Sequence, residues 1–188
     1  MIRINAGKYR GKKIPVPQAD GLRPTTDRTR AAMFNLLMHR LPQPLEDLSV
    51  LDAFAGSGAL GFECVSRGAQ SVTLVENNPS VVRHLHNASK EFGGIGNIVH
   101  GDLYTFLKTH QRPFDLILLD PPFNSTDYDM LLQVLAKSKC TQTNSMIVIE
   151  RPTEISIAIP REFAVDVDRA YGRSSIIVAT YEECEPCE

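Results

Sequence analysis

The stretch VLDAFAGSGALG, residues 50–61, constrains the fold of this chain more than any other. It reads as a short buried strand over 50–52, a turn of small residues, and a helix opening at Ala59. Gly56, Gly58 and Gly61 let the backbone turn sharply, approach a ligand closely and pack a helix tightly on a sheet. A strand-turn-helix of this kind presents backbone N–H groups and a helix N-terminus to a ligand. The letters fit G-x-G-x-x-G, a pattern that by itself leaves the ligand open.

Downstream of Gly61 the strand-helix unit repeats. A helix over 59–67 with Gly68 at its C-terminal end leads to SVTLVE (71–76), then a helix over 80–92 broken by Gly93, Gly94 and Gly96. A third strand spans 97–100 and a helix 103–110. FDLILLD (114–120) is an apolar run suited to a central parallel strand buried on both faces. A helix over 128–138 and the strand SMIVIE (145–150) complete the alternation, and 163–168 with 176–180 form a closing hairpin. Strands separated by helices specify an α/β fold, a mostly parallel sheet with an antiparallel C-terminal end.

The first 44 residues differ in character. Residues 1–22 mix alternating Ile2, Ile4, Ile14 and Val16 with Gly7, Gly11, Pro15 and Pro17, as in a small β-hairpin or extended arm. RPTTD (23–27) starts a helix whose Met33, Phe34, Leu37 and Leu41 recur at helical spacing before Pro42 and Pro44 end it. That helix is expected to pack over the edge of the main domain, close to the glycine turn. Residues 1–44 are thus read as an N-terminal extension and 45–188 as the main domain.

Charge divides the same way. The whole chain carries −2, yet residues 1–40 hold nine Lys or Arg against two acids, +7, leaving −9 for the rest. A basic arm on an acidic body fits an anionic partner, or a solvated tail. No apolar run of membrane-spanning length occurs, and no apolar segment follows the basic N-terminus, so a cytoplasmic protein is expected. Cys184 and Cys187 form a lone CxxC in an acidic tail without a second ligand pair, and no metal site is expected.

Ligands of open α/β sheets bind outside the carboxyl ends of the strands. Asp52, Glu76, Asp102 and Asp120 all fall there. Glu76 lies 20 residues after Gly56, the spacing of an acid that accepts both ribose hydroxyls. Asp102 is placed either to accept from an adenine amino group or to cap the next helix. In Asp120-Pro121-Pro122-Phe123 the prolines stiffen an extended turn. The Asp120 carboxylate and Pro121 carbonyl then stand as fixed acceptors beside the flat Phe123 ring. A planar base with an exocyclic amino group can stack there and donate to those acceptors, or the loop is simply rigid with a core Phe.

Taken together, RPTTDRTRAAMFNLL, VLDAFAGSGALGFE, LVENN, GD and DPPF, with YGRSS as a looser match, resemble the class I S-adenosylmethionine-dependent methyltransferases. More closely they resemble the ribosomal RNA small subunit methyltransferase D family, over nearly the whole chain. That resemblance implies a Rossmann-like sheet and methylation of a guanine N2 in 16S rRNA, naked or in an assembled or partly assembled small ribosomal subunit. It implies that S-adenosylmethionine is held by Asp52, Phe54, Ala55, Gly56, Ser57, Gly58, Glu76, Asn77, Gly101 and Asp102. Arg23, Thr25 and Thr26 would close over cofactor or target, and Asp120, Pro121 and Phe123 would position the base. Lys8, Arg10, Lys12, Lys13, Arg28 and Arg30 would contact RNA.

Three other readings stay open. Adenine N6 or cytosine N4 of DNA or RNA presents a similar amino group. A nucleotide-dependent oxidoreductase would use the glycine turn and Glu76 but leaves DPPF and the arm unexplained. A non-catalytic RNA-binding module would leave the strand-end acids unexplained.

Overall fold

The structure, a computed structural model, describes residues 1–17, 27–94, 96–122 and 127–183. Arg23, Thr25, Thr26, Phe123, Cys184 and Cys187 lie outside the described residues. A two-stranded antiparallel hairpin, β1 (Ile2–Arg3) with β2 (Lys13–Ile14), precedes helix α1 (Asp27–Met38). The main sheet is then built from β3 (Ser49–Asp52), β4 (Ser71–Glu76), β5 (Asn97–His100), β6 (Leu116–Leu119), β7 (Met146–Pro152), β8 (Phe163–Tyr171) and β9 (Ser174–Tyr181). Helices α2 (Ala59–Ser66), α3 (Pro79–Glu91), α4 (Leu103–Thr109) and α5 (Tyr128–Ala136) connect the first five of these strands.

The strand order is β5-β4-β3-β6-β7-β9-β8. The first five in chain order are parallel; β9 runs antiparallel to β7 and to β8. The α/β sheet with an antiparallel end and a small N-terminal hairpin is the architecture expected from the sequence. Strand placement reverses at β3: β4 and β5 lie on one side, β6 and β7 on the other. Right-handed crossovers therefore put α2 and α3 on one face and α4 and α5 on the opposite face.

Side-chain alternation supplies both cores. Val50, Leu74, Leu116, Leu118 and Val148 pack with Met33, Phe34, Phe62, Leu85 and Phe92 on the face of α1, α2 and α3. Leu51, Val75, Ile117, Leu119 and Ile149 pack with Leu103, Leu107, Leu131 and Leu135 on the face of α4 and α5. The hairpin residues Ile4 and Ile14 belong to the first cluster.

Some boundaries differ from those expected. Helix α1 stops at Met38, ahead of Pro42, and Leu41 N–H still donates to the Leu37 carbonyl at 3.0 Å. Strand β6 begins only at Leu116; just before it, Asp115 N–H donates to the Ser49 carbonyl at 3.0 Å while its carboxylate accepts from Ser49 N–H (2.8 Å) and Oγ (2.7 Å). The final hairpin is longer than the alternation indicated, and much of the added length in β8 carries exposed side chains.

Candidate active site

Helix α2 starts at Gly58, whose φ of +79° is left-handed and whose missing Cβ leaves room for Phe62 and Leu85. Gly61 packs so closely on the sheet that a Cβ there would lie 2.9 Å from Leu74 Cδ2 and 3.0 Å from Asp52 Oδ2. Its bare N–H donates to that same Asp52 Oδ2 at 2.8 Å. Asp52 is buried, and its second oxygen, Oδ1, has no hydrogen-bond partner among the described residues. Burial, and after it the Glu76 carboxylate, push the Asp52 carboxyl up to about 7 against the lowering effect of Gly61 N–H.

Glu76, at the end of β4, ties the turn to the neighbouring strand. Its Oε2 accepts from Gly56 N–H at 3.0 Å and its Oε1 from Asn78 N–H at 2.8 Å. Glu76 remains half-buried, so its other lone pairs can serve a ligand. Phe54 and Gly56 are also half-exposed, whereas Ala55, Ser57 and Gly58 are buried. Asn77 is exposed and its carbonyl meets His100 Nε2 at 3.2 Å; Gly101 N–H donates to the Glu76 carbonyl at 3.0 Å. Asp102 caps α4 through one oxygen, Oδ2, which accepts from Thr105 N–H at 2.8 Å and Oγ1 at 3.1 Å.

Asp120 follows the last residue of β6 and is half-buried; Pro121 is buried and Pro122 exposed. On the adjacent parallel strand Leu119 pairs with Ile149, so Glu150 is the register neighbour of Asp120. Tyr128 opens α5 just behind this end of the sheet. Its buried hydroxyl has no hydrogen-bond partner among the described residues. Burial, then the carboxylates of Asp120 and Glu150, hold that phenol above its usual range against the opposing charge of Arg151. Arg151 in turn donates to both oxygens of Asp168 (3.2 and 2.8 Å) and to backbone carbonyls of residues 152, 153 and 155.

The basic residues do not share one surface. Arg30 is fully buried: its guanidinium donates to the Arg3 carbonyl and to Asp27 Oδ1 (2.8 Å), and lies 3.9 Å from buried Glu63. The expectation that Arg30 contacts RNA is therefore corrected, because an enclosed, paired guanidinium cannot reach a partner. Lys12 is half-buried, paired with Glu91 at 3.1 Å and seated over the Tyr9 and Phe92 rings. Lys8, Arg10, Lys13 and Arg28 are exposed.

Glu63 is the residue that sequence reasoning missed. Its carboxylate accepts from Asn5 N–H (2.8 Å), Ala6 N–H (3.1 Å) and Arg67 Nε (2.9 Å), anchoring the N-terminal arm along α2. One carboxylate inside the otherwise apolar run ALGFECVS was the available signal. The hairpin turn docks at the far end of α2, where Lys8 N–H donates to the Ser66 carbonyl at 2.7 Å and Tyr9 N–H to Ser66 Oγ at 2.9 Å. That end lies opposite the carboxyl ends of the strands, eight residues of helix, about 12 Å, from the glycine turn.

The family model described as "Conserved hypothetical protein 95" matches residues 2–180. Ribosomal RNA small subunit methyltransferase D of Escherichia coli is 33% identical over 174 residues, covering 92% of this chain and 86% of that protein. A solved chain from Escherichia coli, 32% identical, superposes with a TM-score of 0.82 over 96% of this chain and 98% of its own length. An RNA methyltransferase from Salinibacter ruber in complex with S-adenosyl-L-homocysteine shares the fold at 17% identity, with a TM-score of 0.66 over 88% and 98% of the two chains.

Proposed function

This chain belongs to the conserved hypothetical protein 95 family, with ribosomal RNA small subunit methyltransferase D among its relatives, and we propose that it is an S-adenosylmethionine-dependent methyltransferase of small-subunit ribosomal RNA. The observation that carries the cofactor is the charge around the glycine turn. Glu76, Asp102 and Asp120 ring the ends of the central strands, and beneath the turn lies Asp52 Oδ1, an acceptor without a hydrogen-bond partner among the described residues. Such a field suits a cationic sulfonium and ammonium ligand. A nucleotide-dependent oxidoreductase would use the same turn and Glu76 but gives Asp120 and the Pro121 carbonyl no role.

Glu76 fits the ribose role: it holds Gly56 N–H and retains accepting capacity toward hydroxyls. Asp102 spends Oδ2 on its helix cap and is exposed, leaving Oδ1 as the acceptor for an adenine amino group. S-adenosylmethionine, when bound, supplies an electrophilic methyl. The chain's task is to hold a weakly nucleophilic amine against it. We assign that task to Asp120 and the Pro121 carbonyl, which accept the two N–H bonds of a guanine N2 and leave its lone pair free to point at the methyl. Positioning in a fixed electrostatic environment is the main catalytic device. The Asp120 carboxylate takes the proton that the amine loses on methylation. A target inside a helix must first be flipped out, at a cost of about a few kcal/mol.

The test uses labelled S-adenosylmethionine with naked 16S rRNA, small subunits at defined assembly stages, or DNA, and identifies the product nucleoside by mass. Label in N2-methylguanosine of the rRNA is expected. Label confined to DNA, to adenine or to cytosine overturns the guanine assignment. Asp120→Asn should abolish transfer while S-adenosylmethionine still binds; full activity in that variant would remove Asp120 from the site.

A further inference from the structure

The carboxyl rim of the sheet presents a problem for an RNA substrate. Among the described residues, Glu76, Asp102, Asp120, Asp127 and Asp129 all lie there, at strand ends or at the start of α5. A phosphate backbone approaching this rim meets like charge. The basic turn of the N-terminal hairpin does not relieve it, because that turn docks against Ser66 at the opposite end of α2.

Exposed cations do occur on the rim, on the other side of Asp120. Strand β9 starts where β7 ends, with Pro152 paired to Ser174, so the β8–β9 turn lies at the carboxyl end of the sheet. β9 is two strands from β6, about 10 Å at the usual spacing. The turn is a two-residue loop, Gly172-Arg173, with Gly172 at φ +67° as the first position of a tight hairpin requires. It is fixed to the end of β7: Thr153 N–H donates to the Arg173 carbonyl at 3.1 Å and Thr153 Oγ1 to the Gly172 carbonyl at 3.2 Å.

Arg173 and Arg169 are exposed, and Arg169 stacks over the half-buried Tyr171 ring at 5.6 Å. Arg28, in the first turn of α1, is exposed as well. Arg30 lies beside Glu63, and Arg67 over the Phe34 ring at 4.6 Å, so α1 runs in the same direction as α2 with its first turn toward the rim. Register places Arg169 opposite Ile176, whose side chain lies in the core on the α1 face. Among the described residues Arg28, Arg169 and Arg173 make no ion pair, whereas Arg30, Arg67 and Arg151 are all engaged with carboxylates.

We propose that Arg169 and Arg173 of the β8–β9 turn, with Arg28 of α1, form the surface that binds the RNA backbone beside the target base. This rests on the RNA methyltransferase reading and adds to it the place where the substrate docks. The contact is electrostatic and independent of base sequence, offsetting the acidic rim next to it. The arm turn, with Lys8 and Arg10, is left to a more distant part of the RNA.

The test compares wild type with Arg169→Ala/Arg173→Ala and with Arg169→Lys/Arg173→Lys, measuring RNA binding by anisotropy across a salt series. Loss of two phosphate contacts should lower the slope of log K against log salt by about 1.4–1.8, and the lysine variant should keep most of the slope. The alanine variant should raise KM for RNA with kcat at saturating RNA, S-adenosylmethionine affinity and Tm unchanged. A wild-type RNA affinity and salt slope in the alanine variant overturns the proposal. So does a lysine variant as impaired as the alanine one, since charge alone would not then carry the contact. These binding measurements do not require methyl transfer. Wild type that binds RNA through the rim but transfers no methyl would overturn the function and leave the docking surface standing.

Discussion

Gly56 N–H donates to Glu76 Oε2 at 3.0 Å, joining the turn after β3 to the end of β4. The carboxylate proposed to hold the ribose therefore also holds the turn against which the rest of the cofactor lies. Removing it should lose both effects. A hydrogen bond to a charged group contributes about 1.5–3 kcal/mol, so Glu76→Ala should weaken S-adenosylmethionine binding by ~10- to 150-fold in titration calorimetry. Glu76→Gln has one carbonyl acceptor for the two N–H groups of Gly56 and Asn78 and should fall between. Wild-type affinity in Glu76→Ala would mean that the turn and the ligand are held by other groups.

Asp52 makes stability depend on pH in a definite direction. Its folded carboxyl titrates at about 7, against an ordinary value of 3.8. Between these values the native state keeps a proton that the unfolded state has released, so unfolding free energy falls as pH rises from 3.8 to about 7 and then levels. The full effect is at most about 4 kcal/mol. Asp52→Asn cannot ionise and should be nearly neutral in acid but more stable than wild type once pH passes the folded value. Urea unfolding across that range reads the difference; a constant offset at all pH values would show that Asp52 ionises freely.

Glu63 and Arg30 are both fully buried, and each is a partner the other cannot lose cheaply. Glu63→Ala leaves the Arg30 guanidinium without its buried counter-charge and frees the Asn5 and Ala6 N–H groups, for an expected loss of about 3–5 kcal/mol. Limited proteolysis should then cut the N-terminal hairpin first. Glu63→Ala that unfolds at the wild-type urea midpoint would contradict the anchoring role.

Gly7 and Gly11 separate strain from contact. Both have positive φ, +81° and +84°, yet a Cβ at Gly7 would fall on the Ser66 carbonyl while one at Gly11 meets open space. Gly11→Ala should cost only the left-handed penalty of about 1–2 kcal/mol. Gly7→Ala should cost clearly more and undock the turn, visible as faster amide exchange at Lys8 and Tyr9. Equal costs would mean that the turn is not seated on α2.

Much of the site was legible because its signals are local. The glycine spacing, the interval from Gly56 to Glu76 and the DPPF tetrapeptide each depend on neighbours along the chain or on one strand-helix-strand unit. Arg30 was misread for the opposite reason. The basic residues of the arm look alike in sequence, but Arg30 is buried beside Glu63, 33 positions away, whereas Lys8, Arg10, Lys13 and Arg28 stay exposed. Nor does local pattern tell that Tyr128 carries a buried hydroxyl behind Asp120, or that Arg151 reaches Asp168.

The sequence by itself determined the alternation of strand and helix, the burial of both faces of the central strands, and the acids at their carboxyl ends. Periodicity and turn chemistry suffice for these, since they act within a few residues. Only the tertiary structure decided which charges face solvent and at which end of the sheet. It sent the Lys8 and Arg10 turn to the far end of α2 and brought the β8–β9 turn with Arg173 to the carboxyl end of the sheet, the end at which Asp120 lies. Burial and strand order are properties of the packed whole: a cation's role depends on which distant carboxylate encloses it and on which strand its hairpin pairs with.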